Sequence, residues 1–93
     1  VIVGTCRFEL HFPESNSLKS KRHVLRSLKD RLRGRFNLSV AEVGGENLWQ
    51  RCSLGVAVVA NDVTFVRKVL SKVADVIAEE PRLVILDCTT EIV

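Results

Sequence analysis

Hydrophobic periodicity constrains this chain more than any other feature: it switches between a two-residue repeat and one of about 3.6 residues in the order strand, helix, strand, strand, helix, strand. From Val1 to Phe12, Ile2, Gly4, Cys6, Phe8, Leu10 and Phe12 share one face, while Thr5, Arg7, Glu9 and His11 take the other. That is the pattern of a half-buried strand. Pro13 ends it, and Asn16 or Ser17 is placed to cap a helix. Helical spacing then gathers Leu18, Val24, Leu25, Leu28, Leu32 and Phe36 on one arc, with Gly34 near the end of the run. Leu38 to Val43 is a β-type run whose broken alternation predicts a bulge or an edge position. Gly44 to Asn47 reads as a hairpin turn.

The next strand is predicted from about Leu48 to Ala60, with Cys52, Leu54, Val56, Val58 and Ala60 inward and Trp49, Arg51, Ser53, Gly55 and Ala57 outward. Asn61 and Asp62 offer a second cap. Val66, Val69, Leu70, Val73 and Ile77 then mark an amphipathic helix that Glu80 and Pro81 close. Leu83 to Val93 alternates again, predicted with Val84, Leu86, Cys88 and Ile92 inward and Asp87, Thr89 and Glu91 outward. With right-handed crossovers, βαββαβ has one economical solution, a four-stranded antiparallel sheet in the order 4-1-3-2 with both helices on one face. The predicted class is therefore α+β, ferredoxin-like, in a single domain covering 1–93; another two-layer arrangement of the same elements is the alternative.

Charge is distributed unevenly over these elements. Ser17 to Phe36 holds eight of the fourteen basic residues and one acid, Asp30, so that segment is near +7 and the remainder near −4, for a total of +3. Lys19, Arg22, Arg26, Lys29 and Arg33 fall together along one flank of the apolar arc. Like charges at these spacings repel by roughly 0.2–0.5 kcal/mol per close pair, and only Asp30 can relieve them. Lys19, Lys21 and Arg22 also occupy the first turn, where the helix dipole disfavours cations. A solvated basic face is the ordinary reading of a charge run. Uncompensated stacking at the wrong end of the dipole points instead to an anionic partner, and phosphate suits it because the free N–H groups of the first turn add donors.

Hydrophobic content of 46% with 27% charged residues fits a globular chain. No run reaches the roughly 18 apolar residues of a membrane helix, and the N-terminus has no pattern for export, so a cytoplasmic location is expected. Cys6, Cys52 and Cys88 are odd in number and form no CxxC pair, which fits reduced thiols.

The run SLKSKRHVLRSLKDRLRGRFNLSVAEV, followed by LWQRCSLGVAVVAND, resembles the YlxP-like family of small bacterial proteins, a domain of unknown function. The resemblance extends over nearly the whole chain and departs mainly at the turn GGEN. It implies the ferredoxin-like fold and a cytoplasmic bacterial protein. Family members are often encoded beside translation and ribosome-maturation factors, which implies RNA or ribosomal particles as partners. It brings no catalytic residues.

Other ferredoxin-like chemistries fit less well. The outward positions of the first and third strands, Arg7, Glu9, His11, Arg51 and Ser53, lack the aromatics on which RNA recognition motifs stack bases. Three inward thiols are more simply buried hydrophobes than a metal site. His11 and His23 lie far apart, and nothing supplies a nucleophile with a base. The expectation is a non-enzymatic RNA- or ribosome-associated module without cofactor, metal or small-molecule substrate. In it Lys19, Arg22, Arg26, Lys29 and Arg33 contact phosphates and Lys21 helps to hold one. The alternative is a protein-interaction module, a homodimer or adaptor using the open sheet face or an edge strand. Trp49, with Arg51 beside it, is then the candidate contact, as hairpin packing, stacking platform or partner anchor.

Overall fold

In the computed structural model, which describes residues 1–93, the elements are β1 (Ile2–His11), α1 (Leu18–Arg35), β2 (Ser39–Gly44), β3 (Arg51–Ala60), α2 (Val63–Ala78) and β4 (Val84–Ile92). The strands form one antiparallel sheet in the order β2-β3-β1-β4, the predicted order read from the opposite edge. Alternation sets the register: Cys6 faces Val56 and Phe8 faces Leu54, so the inward residues of β1 and β3 stack side by side. Val24, Leu25, Leu28 and Leu32 of α1 and Val66, Leu70, Val73, Val76 and Ile77 of α2 complete the core above them. Each such side chain contributes roughly 1.5–3 kcal/mol when fully buried.

Both helices start where capping chemistry places them. The Ser17 hydroxyl accepts from the Ser20 N–H at 3.0 Å, and the Asp62 carboxylate accepts from the Phe65 N–H at 3.2 Å. Helix α2 rides so low over β1 that a Cβ on Gly4 would overlap Val66 Cγ1. Neither helix is long and apolar enough to cross a membrane.

Two stretches depart from the periodic reading. Strand β3 begins at Arg51 rather than near Leu48, and Leu48, Trp49 and Gln50 belong to the preceding loop. The Gln50 carbonyl still accepts from the Phe12 N–H, while its side-chain Nε2 donates to the carbonyls of Pro13 and Ser15 and ties the segment to the β1–α1 connection. In β4 a register irregularity between Glu9 and Leu10 of its partner reverses the facing of the first residues, so Ile85 pairs with Leu10 and packs on the core. Val84 and Leu86, predicted inward, are about half exposed. Cys88 does lie on the helix side, with Sγ 2.8 Å from that of Cys6, yet it is exposed because β4 is an edge strand. The predicted bulge in β2 falls between Glu42 and Gly44.

Candidate nucleic-acid interface

Helix α1 spends one side on the core and presents the flank beside it over the free edge of β2. Arg33 is tied to that edge, its Nη2 donating to the Val40 carbonyl at 3.2 Å. Lys19, Arg22 and Arg26 are exposed and Lys29 is half-buried on the same flank. None of these four takes part in any of the chain's five ion pairs. The first turn of α1 contains no acid. Arg33 is only partly free, since Asp30 lies 3.9 Å from its Nη1 in addition to the bond to β2.

Lys21 does not belong to this surface. Its side chain is fully buried, and Nζ lies 2.8 Å from the Gly45 carbonyl, 3.3 Å from that of Arg51, 3.5 Å from that of Glu46 and 3.1 Å from Glu42 Oε2. The expectation that it helps to hold a phosphate is therefore replaced: the ammonium is an internal tie between α1 and the β2–β3 connection. Helical spacing carries the signal, because Lys21 precedes Leu25, Leu28 and Leu32 by four, seven and eleven residues and so falls inside the apolar stripe. Arg31, on the opposite flank, is also committed, to the buried carboxylate of Glu80 at 3.0 Å.

Trp49 and Leu48 are 56% and 53% exposed in the β2–β3 connection. Arg51, immediately after, is exposed and takes part in none of the ion pairs. On the open sheet face Arg7 Nε donates to Glu9 Oε1 at 2.9 Å, and the Ser53 hydroxyl donates to the same carboxylate at 2.7 Å. The Ser53 hydroxyl first, and Arg7 second, hold the Glu9 carboxyl below its usual range. Glu9 therefore stays a charged acceptor in a surface network. His11 Nδ1 lies 3.1 Å from the Gln50 carbonyl, an additional tie to the connection. Beside this network lies a shallow trough of about 530 Å³ floored by small residues, among them Thr5, Ala41, Gly55 and Ala57.

Comparison with known proteins places the chain in sequence space. Residues 3–90 match the family model described as "Protein of unknown function (DUF503)". The chain is 33% identical over 82 residues to "Uncharacterized protein YlxP" of Bacillus subtilis (strain 168), an alignment covering 88% of this chain and 89% of that relative. Among solved structures, a C-terminal segment of the alpha subunit of aIF2 from Pyrococcus abyssi superposes on the whole of this chain with a TM-score of 0.50 at 18% identity. The chain spans about half of that segment, 49%, and the likeness is one of fold. Given a family match over nearly its full length and a relative one-third identical over most of both chains, the chain belongs to the DUF503 family.

Proposed function

We propose that this protein is a non-enzymatic RNA-binding module, acting on free RNA or on a ribosomal particle in the cytoplasm, with the exposed flank of α1 as its phosphate-binding surface. The observation that carries the reading is the set Lys19, Arg22, Arg26 and Lys29, aligned on one flank of one helix without a carboxylate partner. A row of cations that repel one another costs stability in the free protein. Polyanion binding offsets that cost and adds counterion release, giving affinity and orientation with little sequence preference.

The test is titration of an end-labelled single-stranded RNA across a salt series. Four contacting cations predict a log–log slope of about −2.8. The variant Arg22→Glu, Arg26→Glu, Lys29→Glu should lose binding while keeping its circular dichroism and melting transition. Unchanged affinity in that variant defeats the proposal. In cells the protein should sediment with ribosomal particles at low salt and leave them at high salt.

The trough on the open sheet face supports a second reading, docking of a second copy or of another protein against Ala41, Gly55 and Ala57. Light scattering separates the two: a dimer without salt-dependent RNA affinity favours the second.

A further inference from the structure

We propose that Trp49 is a base-stacking platform that turns the basic flank of α1 into a site for single-stranded rather than duplex RNA; this rests on the phosphate-binding reading above. The loop carrying Trp49 is fastened from both sides. Upstream, the Gly45 carbonyl accepts from the buried Lys21 ammonium, and the Leu48 N–H donates to that same carbonyl. Downstream, Gln50 is held by its side chain to Pro13 and Ser15, and its carbonyl accepts from the Phe12 N–H at 2.8 Å. The Arg51 carbonyl accepts from Lys21 as well. Lys21 stands in the first turns of α1, and Pro13 and Ser15 immediately precede its cap, so these bonds fasten the tryptophan loop to the end of the helix at which the cationic row begins.

With its neighbours tied down, Trp49 still leaves more than half of its surface in water. A large aromatic that packed the hairpin would be covered; a rigidly mounted, uncovered one is built for a partner. Two features specify that partner. Arg51, two residues on, is an exposed cation outside every ion pair, and the row on α1 continues the positive charge away from the loop. An exposed aromatic two residues from a free arginine, on a loop fastened to the end of α1 where the cations begin, fits a nucleic acid whose phosphates follow the cations and whose base lies on the ring. A paired, stacked base inside a duplex cannot offer that face, so the class is single-stranded RNA or an unpaired loop.

Trp49 is the only tryptophan, so its fluorescence reports this contact alone. Wild type is titrated with a single-stranded oligoadenylate and with an RNA duplex of equal length, and the affinities are repeated with Trp49→Ala and Trp49→Phe. The expected result is quenching by the single strand, a loss of about tenfold or more in its affinity in Trp49→Ala, near-complete retention in Trp49→Phe, and an unchanged salt slope. Duplex affinity should not move. Single-strand binding that depends on Arg22, Arg26 and Lys29 but neither quenches the indole nor weakens in Trp49→Ala overturns the stacking platform and leaves the basic flank standing. Equal loss on duplex overturns the single-strand assignment. Absence of any salt-dependent binding by wild type overturns both readings, and an indole that serves a protein partner shows itself as RNA affinity indifferent to Trp49→Ala.

Discussion

Lys21 and Glu42 face each other beneath α1 with Nζ and Oε2 3.1 Å apart, joining the first turn of the helix to strand β2. A buried ion pair adds little net stability over apolar residues, but removing one partner leaves the other charge desolvated and uncompensated. Lys21→Met should therefore cost about 3 kcal/mol, seen as a lower urea midpoint at unchanged m-value. The same variant strips donors from the Gly45 and Arg51 carbonyls, so Lys21→Met with Glu42→Leu should recover only part of the loss. Full recovery would mean the carbonyl contacts are energetically idle.

Glu80 supplies an acid-sensitive tie of a different kind. Its carboxylate is bonded by the Arg82 side chain at 2.9 and 2.8 Å, by the Arg82 backbone N–H at 3.0 Å and by Arg31 at 3.0 Å. The Arg82 side-chain bonds, ahead of the other contacts, bring its pKa down from the usual 4.5 to about 2. A carboxylate depressed by folding contributes stability that is complete above its unfolded pKa and is lost as pH falls through the folded value. Wild type should thus lose stability between pH 4.5 and about 2, and Glu80→Gln should flatten that part of the profile while costing about 2 kcal/mol at pH 7. Glu9, lowered for similar reasons but at a more exposed place, leaves a small residual slope.

Local periodicity made the element order and sheet topology readable, because strand and helix repeats depend only on near neighbours in the chain. The cationic flank of α1 was readable for the same reason, whereas the absence of carboxylates around it depends on where Glu42, Glu80 and Asp30 end up in three dimensions. At Lys21 charge points to the surface and helical position to the core, and position wins because its partners are backbone carbonyls and an acid more than twenty residues away. The reversed facing of Val84 and Leu86 comes from a strand irregularity that leaves no side-chain signature, and the ties of the Gln50 side chain to Pro13 and Ser15 depend on a loop more than thirty residues away in the chain.

The approach of α2 to β1 at Gly4 predicts intolerance to a single methyl group. Val66 is fully buried, so the side chain that a Cβ at position 4 would meet has nowhere open to turn. Gly4→Ala should cost about 1–3 kcal/mol by overpacking. Combining it with Val66→Ala should return a measurable share of that loss in thermal melts. A Gly4→Ala protein melting with the wild type would show that α2 sits farther from the sheet.

The three thiols should react in an order set by burial and ionisation. Burial, reinforced by the hydrogen bond with Cys88, pushes the Cys6 thiol up to about 11, and burial first, with the Glu42 charge second, pushes that of Cys52 up to about 12. Only the thiolate attacks an alkylating agent, so at pH 8 both are nearly inert in the folded protein, while Cys88 is exposed at the sheet edge. Iodoacetamide followed by mass spectrometry should give one rapid adduct, on Cys88, and three adducts only in urea. The group added to Cys88 must displace the Cys6 sulfur now 2.8 Å away, so the singly labelled protein should melt below the unlabelled one. Labelling of Cys52 at the rate of Cys88 in the native protein would contradict the burial of β3 on which the core assignment rests.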